Sequence, residues 1–224
     1  MKIKKLGTFI GSLLLLITAV SYAETIYQGT FVNTNTTDQG LAYVGWHANM
    51  GSSGTAANES NTAWINGPVA SAADYIFYLL PAMYAGQPAL IWTDEPLLGA
   101  VYMVTNLSAV IRNSNPTASE DLKFAIKVNG AWYVSQTVFN SPKDVNATIN
   151  IDVQSSSWNS LTLTPGTGMV EGGAAVLPAS GTVQGVGLFD AQDSQNRVRI
   201  LQFTAQGEKM GMGLYIVSLM GPLF

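Results

Sequence analysis

The chain has 224 residues, no cysteine and one histidine, with 10 Lys and Arg against 14 Asp and Glu. Disulfides, thiolate metal centres and multi-histidine zinc sites are therefore excluded. A net charge of −4 argues against nucleic acid and anionic membrane surfaces, which both require a basic footprint. It leaves neutral sugars, Ca²⁺ and cationic partners open.

Lys2, Lys4 and Lys5 precede an uncharged, mostly apolar run from Leu6 to Val20, and Ser21-Tyr22-Ala23 closes it with small residues. This pattern predicts an export signal over residues 1–23. The protein is then expected in the periplasm, at the cell surface or outside the cell, with no transmembrane span in the mature chain. An uncleaved anchor is the competing reading, disfavoured by the short apolar run and the small-residue site. Without the three leader lysines, seven of the ten cations remain against fourteen carboxylates, a net charge of −7. No cysteine follows the apolar run, which excludes a lipidated N-terminal Cys.

Helical periodicity is nearly absent beyond the leader. Short runs of Thr, Val, Ile and aromatic residues alternate with Asn, Gly, Ser and Pro clusters, the pattern of an all-β antiparallel sandwich. Strands are predicted over Thr25–Asn33, Leu41–His47, Tyr75–Leu80, Ala89–Thr93, Ala100–Arg112, Leu122–Val128, Ala131–Phe139, Asn146–Val153, Ser160–Leu163, Val183–Phe189 and Arg197–Ala205. Ala100–Arg112 is long for a flat strand and is expected to carry a bulge or bend. Asn49–Asn61, the glycine-rich Pro165–Gly173 and Asp190–Asn196 are expected to be loops. No repeat is visible, so residues 24–209 are assigned to one β-sandwich domain, followed by an apolar strand or tail over 210–224. Met210–Phe224 carries no charge. As a helix it would reach only about 22 Å, and its glycines and Pro222 oppose one, so a final strand over Leu214–Leu219 is expected.

Asn129-Gly130 is the clearest local signal, because a two-residue type I′ turn needs positive φ at both positions. Such a turn sets Val128 opposite Ala131, Lys127 opposite Trp132 and Ile126 opposite Tyr133. One face then holds Leu122, Phe124, Ile126, Val128, Tyr133 and Phe139, and belongs in a core. The other holds Lys123, Lys127, Trp132 and Gln136, with Ala125, Val134 and Val138 between them. A cation–π contact from Lys127 contributes only about 0.5–1 kcal/mol, too little to leave an indole exposed. Either a second packing layer or a ligand must cover Trp132.

Catalytic signals are weak. His47 ends an apolar run and reads as structural, and no G-x-S-x-G elbow is present. Asp94-Glu95 and Glu120-Asp121 lie in predicted turns, where neighbouring side chains diverge, so solvated turn carboxylates explain them better than an acid/base pair. Asp190, Asp193 and Asn196 lack the spacing and the bidentate Glu of an EF-hand. The glycine-rich segment lacks a P-loop lysine and brings Glu171 close. Asn35, Asn58, Asn106 and Asn146 begin Asn-x-Ser/Thr acceptors, which matter only in a glycosylating host. The tryptophans, at 46, 64, 92, 132 and 158, are each best explained by core packing. Even so, an indole beside amides and hydroxyls also suits the C–H face of a sugar.

Leu122–Ser135, Gly181–Phe189 and Arg197–Phe203 resemble segments of a group of uncharacterised exported bacterial proteins, jelly-roll sandwiches of the galactose-binding-like or lectin-like type. The similarity covers about Thr25 to Ala205. It implies a jelly-roll β-sandwich without catalytic activity, and carbohydrate binding only through an architecture that hosts many functions. Leu201 stands where that group usually carries an acidic residue, so a structural Ca²⁺ is not carried over and no cofactor is expected. Residues 210–224 also lack a Pro-Glu-Pro sorting signal and a basic terminus.

The expectation is therefore an exported, non-catalytic module recognising a glycan or cell-surface polysaccharide through Trp132, Lys127 and Gln136. A polysaccharide lyase or glycoside hydrolase on the same fold is the first alternative. A surface or matrix protein self-associating through 210–224 is the second.

Overall fold

The computed structural model describes residues 23–31, 40–50, 55–56, 69–71, 75–79, 88–95, 101–113, 122–140, 143–164, 168–191 and 197–210. The leader, Trp64, Glu120-Asp121, Asp193 and Asn196, and the expected strand Leu214–Leu219 with its self-association role lie outside the described residues. Within them the strands are β1 (Glu24–Gly29), β2 (His47–Met50), β3 (Thr55–Ala56), β4 (Val69–Ser71), β5 (Tyr75–Leu79), β6 (Ala89–Thr93) and β7 (Val101–Asn113). They continue as β8 (Leu122–Val128), β9 (Ala131–Ser135), β10 (Asn146–Asp152), β11 (Trp158–Thr164), β12 (Gly168–Ala175), β13 (Gly181–Asp190) and β14 (Arg197–Lys209). Among these residues no helix is long and apolar enough to cross a membrane.

The strands form an antiparallel β-sandwich. In one sheet β10, β7 and β14 lie side by side, with β1 and the β5–β4 pair along the far edge of β14. The other runs β12-β11-β9-β8-β13-β6-β2-β3. The two join at a corner where Gly181 and Thr182 of β13 pair with Tyr102 and Val101 of β7. Between them lies the main core, where Phe124, Ile126, Leu188 and Val186 meet Leu107, Ile111, Phe203 and Trp46. The bulge expected in the long strand is present, with Thr105 the extra residue opposite the Gln206–Gly207 step.

The hairpin has the expected register, although its second strand ends at Ser135 rather than Phe139, which keeps only an isolated bridge to Leu122. Lys127 pairs with Trp132 and Val128 with Ala131, and Asn129 and Gly130 have φ of 50° and 86°, as a type I′ turn requires. The turn is docked as well: Asn129 N–H donates to the Thr182 carbonyl (3.0 Å), and Thr182 N–H donates to Asn129 Oδ1 (2.9 Å).

Three predicted elements differ. The expected loop Asn49–Asn61 contains the end of β2 and all of β3, which pair Asn49 with Ala56 and Met50 with Thr55. Leu41–Val44 is a turn of 3-10 helix rather than strand, closed by Gly45 in the left-handed region (φ 72°), and strand begins only at His47. Gly45 is the cause, since its positive φ is cheap only for glycine and reverses the chain before it can extend. The expected glycine-rich loop is largely β12. Its pairing with β11 slips by one residue at Gly172-Gly173, so these glycines mark a bulge within a strand rather than a break between strands.

Candidate functional site

The outer face of the β8–β9 hairpin is covered. Trp132 is 6% exposed and packs with Leu90, Ala125, Val134, Leu161, Met169 and Phe189 in a second hydrophobic cluster. Lys123 on β8 reaches Glu171 on β12 at 2.6 Å, although β9 and β11 lie between these strands. Glu171 lies in the row of Lys127, four residues from Lys123; in a flat sheet with strands about 4.8 Å apart the two backbones would be roughly 19 Å from each other, beyond the reach of the side chains. The sheet therefore coils, and β11 and β12 close over its own outer face. Trp132 meets Trp92 edge-on with ring centroids 5.3 Å apart. Both rings rest on Gly185, where a Cβ would lie 2.9 Å from Trp132 Cη2 and 3.1 Å from Trp92 Cε3.

The open stacking face drawn from the sequence is thus corrected: the second layer, not a vacant groove, receives Trp132. Lys127 holds its ammonium 5.9 Å from that indole centroid. Gln136 lies four residues further along, about 13 Å away on an extended chain. The three expected binding residues do not form one surface.

Gln136 instead borders an open cleft of about 300 Å³ at the end of this sheet, with Val153, Gln154, Ser156, Ser157, Trp158 and the segment Ala174–Leu177. The cleft owes its wall to a local turn. Asp152 Oδ1 accepts the backbone N–H groups of Gln154 and Ser155, each at 3.0 Å, a conformation Asp favours. The Ser155 N–H bond holds the Asp152 carboxyl below its ordinary range. Gln154 Nε2 then donates to the Val104 carbonyl (2.7 Å) and the Ala179 carbonyl (3.3 Å). Gln136 Nε2 donates to the Trp158 carbonyl (3.3 Å) and to Asn159 Oδ1 (2.8 Å). Both amides are anchored through nitrogen, and among the described residues their Oε1 oxygens have no partner; Ser156 and Ser157 line the same cleft. Among the described residues no charged side chain lines the cleft. Trp158 is buried in the floor, its indole N–H donating to the Val153 carbonyl at 3.0 Å, while Val176 is 90% exposed at the rim.

A second hollow of about 260 Å³ is lined by Tyr27, Gln28, Gly29, Thr30, Phe31, Tyr43, Val44 and Glu95. His47, a few residues away in sequence, stacks on Trp92 (4.4 Å between centroids) and bonds Asp94 Oδ1 through Nε2 at 3.2 Å. Among the described residues no group of three or more His, Cys, Asp or Glu side chains could hold a metal ion.

No protein-family profile matches the chain, and no curated protein sequence matches it. Among solved structures it is similar to the CBM2 module of the evolved Dit of Lactobacillus casei BL23 phage J-1, at 12% identity and a TM-score of 0.41 over 85% of this chain and 98% of that one. A conserved carbohydrate esterase from Shiga toxin-encoding bacteriophage phi24B gives 10% identity and a TM-score of 0.39 over 84% and 100%. The exoplasmic/lumenal domain of VIP36, in its Ca²⁺/Man3GlcNAc-bound form, gives 10% and 0.33 over 77% and 86%. All three are β-sandwich folds; at these scores none bears on what this chain binds.

Proposed function

We propose that this protein is an exported, non-catalytic module that binds a neutral glycan or cell-surface polysaccharide in the cleft between Gln136, the Gln154–Ser157 turn and Ala174–Leu177. The observation that supports this reading is the pairing of uncharged polar walls with fixed acceptors. Two glutamines tethered through nitrogen offer amide oxygens in set positions, and two serine hydroxyls can donate or accept. Sugar hydroxyls need such alternating partners, and a cleft free of charge imposes no desolvated ion on a neutral ligand. Val176 and Ala175 supply apolar contact for a C–H face, in place of the stacked indole expected from sequence.

Affinity electrophoresis through gels containing neutral polysaccharides tests the reading. Gln136→Ala and Ser157→Ala are expected to abolish retardation while leaving the thermal melt within a few degrees, since both residues are exposed. Retardation that persists in the double variant rejects the cleft as the site.

A further inference from the structure

The hollow beneath β1 differs from the cleft in carrying a carboxylate. Glu95 is exposed, and among the described residues no cation pairs with it. The backbone that carries it is held in place. Glu95 N–H donates to Thr93 Oγ1 at 3.2 Å, and Thr93 Oγ1 donates to the Gly45 carbonyl at 2.7 Å. The carboxylate lies directly over the Gly45 Cα, in space that any Cβ there would occupy. Beside it sits the Tyr27 phenol, whose oxygen accepts the Trp46 indole N–H at 2.6 Å. Burial pushes that phenol up, and the nearby Glu95 charge adds to the rise. Tyr43, 37% exposed, supplies an aromatic wall. Phe31, at the back, has φ of 53°, a conformation rare for a bulky side chain and of the kind that collects at ligand sites.

We infer that this hollow binds an organic ammonium group, with the Glu95 carboxylate as counter-ion and the Tyr27 and Tyr43 rings as its walls. An anion would meet the uncompensated carboxylate. A hard metal ion would want six or more oxygens, whereas this hollow has a single carboxylate, set among neutral polar residues (Gln28, Thr30, the Tyr27 phenol) and the Tyr43 ring. A large, weakly hydrated cation matches both parts, through charge attraction and the negative faces of the rings. The acidic balance of the whole chain favours its approach. This site is separate from the cleft at Gln136 and does not depend on that reading.

The ammonium could come from a de-N-acetylated amino sugar or from an alkylammonium head group. Titrating the full-length protein with a glucosamine hexamer, an N-acetylglucosamine hexamer and tetramethylammonium chloride, followed by calorimetry and by Tyr and Glu resonances in NMR, separates them. Binding of the glucosamine hexamer, loss of at least roughly tenfold in Glu95→Gln and retention in Tyr43→Phe but not Tyr43→Leu would support an amino-sugar site. Binding of tetramethylammonium alone would assign an alkylammonium site. Equal binding of the two hexamers, insensitivity to Glu95→Gln, or no response to either ammonium probe at millimolar concentration would overturn the inference. Glu95→Gln is nearly isosteric at an exposed position, so a matching thermal melt checks that its fold is intact.

Discussion

The two faces of the β8–β9 hairpin solve the same problem with different materials. On the inner face Phe124 is fully buried, edge-on to Phe139 at 5.2 Å and 6.0 Å from Phe203, as part of the apolar sandwich core. On the outer face the cluster around Trp132 is smaller, and a polar strap crosses it. Lys123 Nζ bonds both Glu171 oxygens at 2.6 and 2.7 Å, and Asn159 Nδ2 donates to Glu171 Oε1 at 2.6 Å. One face is closed by a whole opposing sheet, the other only by its own sheet curling back. Apolar area alone decides the first; the second also needs charges that find each other.

That contrast sets an order of stabilities. Phe124→Ala should cost about 4–5 kcal/mol, because the cavity is walled on all sides and cannot collapse. Trp132→Ala should cost about 3 kcal/mol: the indole is larger, but it lies near the rim, where Lys127 can fold its aliphatic stem into part of the space. Urea denaturation of both variants measures the difference. A Trp132 variant as stable as the parent would mean that the outer layer contributes nothing.

The strap supplies the next step down. Removing one partner of a mostly buried pair leaves the other charge stranded, whereas replacing both with apolar groups of similar volume can be nearly neutral. Lys123 and Glu171 side chains are 11% and 19% exposed, so partial solvent screening should hold Glu171→Gln to about 2 kcal/mol. The double variant Lys123→Met, Glu171→Leu should recover most of that loss. Additive losses across the cycle would show that the two side chains act independently and that the curl rests on packing alone.

The same contrast explains what was legible in the sequence. Period-two alternation and Asn129-Gly130 are local signals, and they located the hairpin, its register and the split between its faces. The covering of Trp132 was not legible, because its partners sit on β6, β11 and β12, and β12 was hidden by glycines that read as a loop. The Lys123–Glu171 bond and the packing of Met169 in the Trp132 cluster reveal that those glycines bend a strand over the hairpin. Of the three expected binding residues, Gln136 alone reaches the cleft. The other wall is a run of serines and a glutamine with no motif, brought there by the Asp152 turn and the chain after β12. Tyr27, Tyr43 and Glu95 converge for a similar reason: Gly45 turns the chain where extension was expected.

The smallest effect concerns that Asp152 turn, which anchors the cleft without belonging to either core. Backbone N–H bonds, that of Ser155 foremost, hold the folded-state carboxyl below the ordinary aspartate value. A carboxyl depressed on folding adds stability that is fully present above the unfolded-state value and is lost as pH falls through the folded one. Asp152→Asn keeps an Oδ1 acceptor for the turn but removes the titration. Melting temperatures of parent and variant should therefore differ slightly at pH 6, still differ at about pH 4, and converge only as pH falls further, through the depressed folded-state value. Convergence would place the contribution in the charge of Asp152; parallel curves throughout would place it in turn geometry, and the cleft wall would then stand without an ionised carboxylate beneath it.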